Sequence, residues 1–299
     1  MTHAAAYAFL FSGMAVVGSY VALSKPLAAV IPVLVLATLR FGIAAIAMLP
    51  WTLTGRNDTP LSRRVWTQLF FQSFFGNFLF SICMLYGVTL TSASAAGIIL
   101  STLPAVVAVF SAIFLRERLG PRALIAVLLA VAGIAVLQLS RAGAGDGDGD
   151  ASRALIGNLL IFGSVCCEAT YVILGKRLTA SLSAMRISAL INLFGFALVL
   201  PLGLWQLGDF ELSSIGIGSW ALLVYYAIAA SVLSTWLWLT GLRSVPAHHA
   251  GVFTVALPLT ATAIGVGVLG ETLTMGHLVA FGCAFAGIVL IATTKPADA

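Results

Sequence analysis

Two ionisable side chains lie deep inside apolar runs of this chain, Arg40 and Glu168. A charge at membrane depth costs about 2.5–3.5 kcal/mol on insertion scales, and is kept where it holds a substrate, a proton or a neighbouring helix. Glu168 is suited to a substrate ammonium or a proton, with a structural ion pair as the plainer alternative. Arg40 is suited to a structural or coupling role, since its long stem can carry the guanidinium toward water or a partner. At similar depth lie Ser12, Ser19, Tyr20, Asn77, Ser101, Thr102, Tyr171, Ser231, Ser234, Thr235, Trp236 and Thr254. Hydroxyls and an amide can bind both ends of a zwitterion, while aromatic faces line an apolar pocket. Together with Glu168 they are the expected lining of a substrate cavity, although each Ser or Thr can instead bond its own or a neighbouring helix. No catalytic constellation, metal-ligand set or cofactor motif accompanies them, so neither metal nor cofactor is expected.

Pro104 and Pro258 fall near the centres of their apolar runs. Proline removes a helix hydrogen bond and clashes with the preceding turn, so a kink or hinge is expected at each. Glu117 and Glu271 sit in short turns, where each can cap the next helix or act as a gate on its own face. His248 and His249 suit a proton relay, but they lie near the end of a run, as does His277, where a histidine needs no special role.

The elements that position these residues are membrane helices. Charged residues make up 8% and hydrophobic residues 61% of the 299, and the mean hydropathy is +1.08. No soluble domain of this size is so poor in charge. A span needs about 20 apolar residues, and the runs fall at about 5–23, 30–53, 66–88, 92–115, 122–139, 154–174, 184–206, 219–241, 247–269 and 276–293, with ends uncertain by a few residues. They are too long and too uniformly apolar for barrel strands. The net charge of +5 is scattered beside these runs, as membrane topology requires, and does not suggest nucleic acid. Cys83, Cys166, Cys167 and Cys283 all lie within the runs and read as packing residues. The first run has no basic region before it and is expected to be a retained helix, not a cleaved signal.

The chain is also written twice. Residues 87–138 fall on 241–292 at an offset of 154, with Gly87 on Gly241, Leu103-Pro104 on Leu257-Pro258 and Glu117 on Glu271. Earlier parts match at 151, with Tyr20-Val21 on Tyr171-Val172 and Lys25 on Lys176. Arg40 and Glu168 fall on Ile191 and Val17, so both charges break the repeat, as a site for an asymmetric molecule would. Five spans per copy make the second copy enter from the opposite face, the inverted arrangement of many secondary transporters. The expected organisation is a first five-helix repeat at 1–140, a Gly/Asp-rich outer linker at 141–153 and a second five-helix repeat at 154–299. The linker has Ala151 and Gly157 where a calcium loop needs Gly and Glu, so it reads as a solvated connection.

Lys and Arg set the orientation. With the N-terminus inside, the cytoplasmic segments hold Arg56, Arg63, Arg64, Arg116, Arg118, Arg122, Lys176, Arg177, Arg186, Arg243 and Lys295, and the outer segments hold Lys25, Arg141 and Arg153. Both termini are therefore expected in the cytoplasm.

The Ala-Gly-x6-Pro runs at 96–104 and 250–258, the Leu-x-Glu-x-Leu turns at 115–119 and 269–273, and Leu-Arg-Phe at 39–41 resemble the drug/metabolite transporter superfamily, within it the EamA-type families, over nearly the whole chain. The overall pattern is most similar to the YddG-type bacterial amino-acid exporters. The resemblance implies an all-α polytopic protein, ten helices around a central cavity, in the bacterial inner membrane, with alternating access. It also makes a fold-holding role the expected one for Arg40. The expected cargo is a small metabolite, an amino acid first, met by one chain acting in the lipid bilayer. A quaternary-ammonium or drug exporter is the alternative, and a passive channel a weaker one. An intramembrane enzyme would need His-Glu-x-x-His or Asp-rich motifs at membrane depth, which are absent.

Overall fold

The computed structural model describes residues 3–53, 61–100, 102–115, 121–142, 148–178, 182–208, 210–242, 253 and 256–292. Among them every regular element is helical. We label them α1 (His3–Val30), α2 (Val33–Ala47), α3 (Arg63–Leu90), α4 (Ala93–Leu100 and Leu103–Leu115), α5 (Pro121–Ala142), α6 (Asp148–Leu178), α7 (Ala184–Leu207), α8 (217–242), α9 (Ala256–Gly267) and α10 (Met275–Ala292). Serines start three of them: Ser62 Oγ accepts from the Val65 N–H and Ser183 Oγ from the Arg186 N–H, both at 3.4 Å, and Ser92 Oγ from the Ala95 N–H at 3.0 Å. Each bond satisfies one of the donors left over at a helix start.

Five helices are long and apolar enough to cross a membrane: Ala4–Val30, Arg63–Leu90, Ser152–Tyr171, Met185–Leu207 and Ile217–Trp238. Five further apolar helices, Val33–Ala47, Ala95–Val107, Leu124–Gly133, Ala256–Gly267 and Met275–Gly287, are shorter. Ile46, Trp205, Ile217 and Met275 are each more than seven-tenths exposed. Large apolar side chains facing outward in such number belong against lipid. The chain is a multi-pass membrane protein.

The packing follows the sequence repeat. α1 packs on α8 and α9, as α6 packs on α3 and α4; α2 packs on α7, α4 on α9 and α5 on α10. Exchanging the two copies maps this set of neighbours onto itself. Both third-position helices, α3 and α8, also widen into a π turn, at Phe74–Leu79 and Ala229–Leu233. The 154 offset brings Leu79 onto Leu233. π turns occur mostly at functional sites, because the widened ladder re-aims side chains and loosens backbone groups.

α1, α4 and α9 meet almost backbone to backbone. A Cβ on Gly18 would collide with the Leu257 carbonyl oxygen, and one on Gly97 would lie 2.6 Å from the Ala261 Cβ. In contrast, Gly267 and Gly282 have nothing within 4 Å of an added Cβ among the described residues.

The described helices also bear on the linker and on the two prolines. α5 continues to Ala142 and α6 begins at Asp148, so helix takes over most of the 141–153 linker. Acidic residues favour a helix start, which composition alone read as loop. Pro104, expected at a kink or hinge, is the second residue of the described helix Leu103–Leu115, where a missing N–H leaves no bond unmade. Pro258 is likewise in the first turn of the described helix Ala256–Gly267.

Candidate functional site

Arg40 lies in the middle of α2 and is 7% exposed. Its Nη1 donates to Ser81 Oγ of α3 at 2.7 Å. Its guanidinium carbon stands 4.4 Å from the centre of the Phe41 ring and 5.2 Å from that of Tyr226 on α8. A desolvated cation–π contact is worth about 2 kcal/mol, and a hydrogen bond to a charged group about 1.5–3 kcal/mol. These neutral partners are enough to offset the cost of an intramembrane charge, so Arg40 does not depend on a counter-ion. Its Nε has no hydrogen-bond partner among the described residues.

Glu168 on α6 lies within electrostatic reach of Arg40 and of Tyr20 and Tyr171. It is half-buried. It makes no ion pair or hydrogen bond with the described residues; the ion pair found among them is Lys25–Glu271. Tyr171, one turn along α6, packs against Gly76 in the π turn of α3. Tyr20 on α1 stands 5.8 Å from Tyr226, ring centre to ring centre. One carboxylate, one guanidinium and three phenol rings thus gather where α1, α2, α3, α6 and α8 meet.

The expected polar lining divides into groups with different employment. Asn77 Nδ2 and Ser73 Oγ, from α3, both donate to the Ile191 carbonyl of α7, at 2.8 and 2.7 Å. Ser231, in the π turn of α8, donates to Asn192 Oδ1 at 2.9 Å, and its own carbonyl accepts from Ser188 Oγ at 3.2 Å. Asn77 and Ser231 are therefore engaged in a buried seam that joins α7 to both π turns. Thr102 and Ser234 bond carbonyls of their own helices, Ile99 and Ala230. Ser19 bonds the Val16 carbonyl and shares a hydrogen bond with the Tyr225 hydroxyl. Thr235 is half-buried and Ser12 exposed. Trp236 is also exposed and meets Phe9 edge-on, at 5.6 Å. Ser101 and Thr254 lie outside the described residues, as do Glu117, His248 and His249.

Glu271 does not cap the helix that follows it. That helix, α10, is capped by Thr274, whose Oγ1 accepts from the His277 N–H at 3.4 Å, and the His277 ring in turn meets Thr274 Oγ1 at 2.7 Å. Gly270, at φ 68°, takes the left-handed conformation that glycine adopts without strain and turns the chain back. Glu271 Oε1 then accepts from both Lys25 Nζ of α1 and the Ala93 N–H of α4, each at 2.8 Å.

The EamA-like transporter family model matches the chain over residues 4–139 and again over 155–293. The chain belongs to the EamA-like transporter family. Among curated relatives of this EamA-like chain is the uncharacterized transporter YetK of Bacillus subtilis (strain 168), 37% identical over 98% of this chain and 89% of the relative. An uncharacterized transporter of Archaeoglobus fulgidus is 25% identical, over 86% of this chain and 87% of its own. A solved crystal structure shares the fold with a TM-score of 0.64, at 19% identity over 97% of this chain and 96% of the other. These relatives are named as transporters, without a substrate.

Several residues that shape this EamA-like centre carried no sequence signal of their own. Tyr226 falls on Gln72 under the repeat, so it is not a matched position, and the π turn that follows shifts which face of α8 points inward. Ser81 falls on Thr235, which was singled out while its partner was not. The pairing of Lys25 with Glu271 spans 246 positions, and only packing brings it about.

Proposed function

We propose that this transporter exports small metabolites, amino acids first, from the bacterial cytoplasm by alternating access. In this reading ten helices form two inverted five-helix halves in the inner membrane, with both termini cytoplasmic, and one chain suffices without a cofactor. Family membership supports a carrier. The observation that carries the substrate class is Glu168: a half-buried carboxylate without a partner among the described residues, within electrostatic reach of a guanidinium that other groups already hold in place. A carboxylate satisfied by the fold would have nothing to offer a ligand. Here the ammonium of an amino acid would supply the missing donor, with its carboxylate toward Arg40 and its side chain among the tyrosines.

A second reading has its own support. Tyr20 and Tyr171 flank Glu168, and aromatic faces beside a carboxylate also suit a quaternary ammonium ion. The two are separated by uptake of radiolabelled amino acids into liposomes holding the purified protein, with unlabelled amino acids and a quaternary ammonium compound as competitors. Saturable uptake competed by amino acids supports the first reading. Saturable uptake of the organic cation without amino-acid flux replaces it with the second. Flux that never saturates would favour a channel and sink both.

A further inference from the structure

We propose that Lys25, Glu271 and the start of α4 form a latch that closes the outer mouth of the central site, and that breaking it admits the outward-open state. The inference rests on the carrier reading above, in which the turns after α1, α3 and α9 face outward.

The latch joins two helices and the turn after α9 through one atom. Glu271 Oε1 accepts from Lys25 Nζ and from the Ala93 N–H, both at 2.8 Å. The side chains of Lys25 and Glu271 are 33% and 12% exposed. Sheltered charge-assisted bonds are stronger than open surface pairs. The carboxylate also faces the start of the helix Ala93–Leu100, where the aligned peptide dipoles favour negative charge.

The connectivity makes it a latch. Lys25 and Ala93 come from the first copy of the repeat and Glu271 from the second, so both bonds cross from one half to the other. In alternating access the halves separate at each end in turn, and every cross-half bond at the outer end must break once per cycle. An ion pair that keeps some contact with water suits this duty, because hydration replaces both partners on opening. The position fits as well. Lys25 lies five residues beyond Tyr20 on α1, or about 7.5 Å along the helix axis. Just past Tyr20 on α1, on the side away from Lys25, and one turn along α4 from Ala93, the helices α1, α4 and α9 touch through Gly18 and Gly97. Backbone contact leaves little slack, so release at Glu271 is transmitted to the walls of the site.

The test uses a single reporter thiol, Thr235→Cys, in the full chain with Cys83, Cys166, Cys167 and Cys283 changed to serine. The rate of labelling by a membrane-impermeant maleimide is measured in right-side-out and in inverted vesicles. Lys25→Met removes the ion pair and leaves the Ala93 bond. Glu271→Gln also removes the charge but keeps an acceptor for the Ala93 N–H, and Glu271→Ala removes both bonds. Loss of one charge-assisted bond should raise outer labelling about tenfold and lower labelling from the cytoplasmic side, with Glu271→Ala the strongest. Exchanging the charges, Lys25→Glu with Glu271→Lys, restores an ion pair but not the acceptor for the Ala93 N–H, so the rate should fall below that of Glu271→Ala without reaching the parent. Unchanged outer labelling in Lys25→Met and Glu271→Gln would overturn the latch. So would a rise from both sides together, which marks a loosened fold, or a rise from the cytoplasmic side alone. Labelling needs no substrate, so a failure of amino-acid uptake would count against the transport reading without touching this result.

Discussion

The end of the molecule that holds Lys25 and its centre treat charge in opposite ways. At that end Lys25 and Glu271 satisfy each other, and the bond ties the two sequence repeats together. At the centre Arg40 and Glu168 are close enough to feel each other, yet Arg40 is held by Ser81, Phe41 and Tyr226. Pairing at the end consumes the capacity of both groups and closes the structure. Separation at the centre leaves a carboxylate whose bonding capacity is unspent, which a ligand site requires and a scaffold avoids. Under the proposed carrier reading, stability falls to Arg40, binding to Glu168 and closure to the Lys25–Glu271 pair.

The largest effect should come from Arg40. Arg40→Ala leaves Ser81 without its donor and two aromatic faces without their cation, and opens a void in the core. The expected loss is about 3 kcal/mol, read as a fall in Tm of the detergent-purified protein and a smaller monodisperse yield. A fully stable Arg40→Ala protein that fails only in transport would break the comparison, since both central charges would then serve the ligand. Next in size is Gly18→Ala. Its methyl would meet a backbone carbonyl, Leu257 O, which cannot rotate away. Overpacking of this kind costs about 1–3 kcal/mol. Gly97→Ala meets a side-chain methyl instead and should cost less; the reverse order in Tm would contradict the described contact of α1 with α9.

The coarse architecture was legible because it rests on patterns that survive averaging. Long apolar runs give helices, and the helices stand where the runs stand. The matched Ala-Gly-x6-Pro segments mark α4 and α9, which do pack on each other. The finer placement was not legible, for identifiable reasons. A proline in an apolar run looks the same whether it kinks a helix or starts one, so the sequence alone does not decide the part Pro104 plays. Asn77 and Ser231 were found by polarity and depth. Polarity does not say whether a hydrogen bond goes to a ligand or to the Ile191 carbonyl and the Asn192 amide. The π turns have no sequence signature at all, and they decide which side chains of α3 and α8 face the seam.

Glu168→Gln sharpens the same contrast from the other side. With no described bond to lose, the variant should keep the parental Tm within about 0.5 kcal/mol of stability. Transport should still fall about tenfold or more, the equivalent of one charge-assisted bond to the cargo. Competition by a net-neutral amino acid in the liposome assay reads the transport part. Wild-type flux across the whole pH range would remove Glu168 from the site.

The smallest effect, and the most discriminating for the lining, is expected at Asn77. If this amide served the cargo, Asn77→Ala would raise KM and leave Tm alone. The structure spends its Nδ2 on the Ile191 carbonyl, which keeps Ser73 as a second donor when Asn77 is lost. No carbonyl is orphaned, so the cost should be about 0.5–1.5 kcal/mol of stability, with KM unchanged. The double variant with Ser73→Ala should cost more than the sum of the two singles, because only then is a buried acceptor left bare. Strict additivity in Tm, together with a raised KM for Asn77→Ala, would return Asn77 from the seam to the cavity wall.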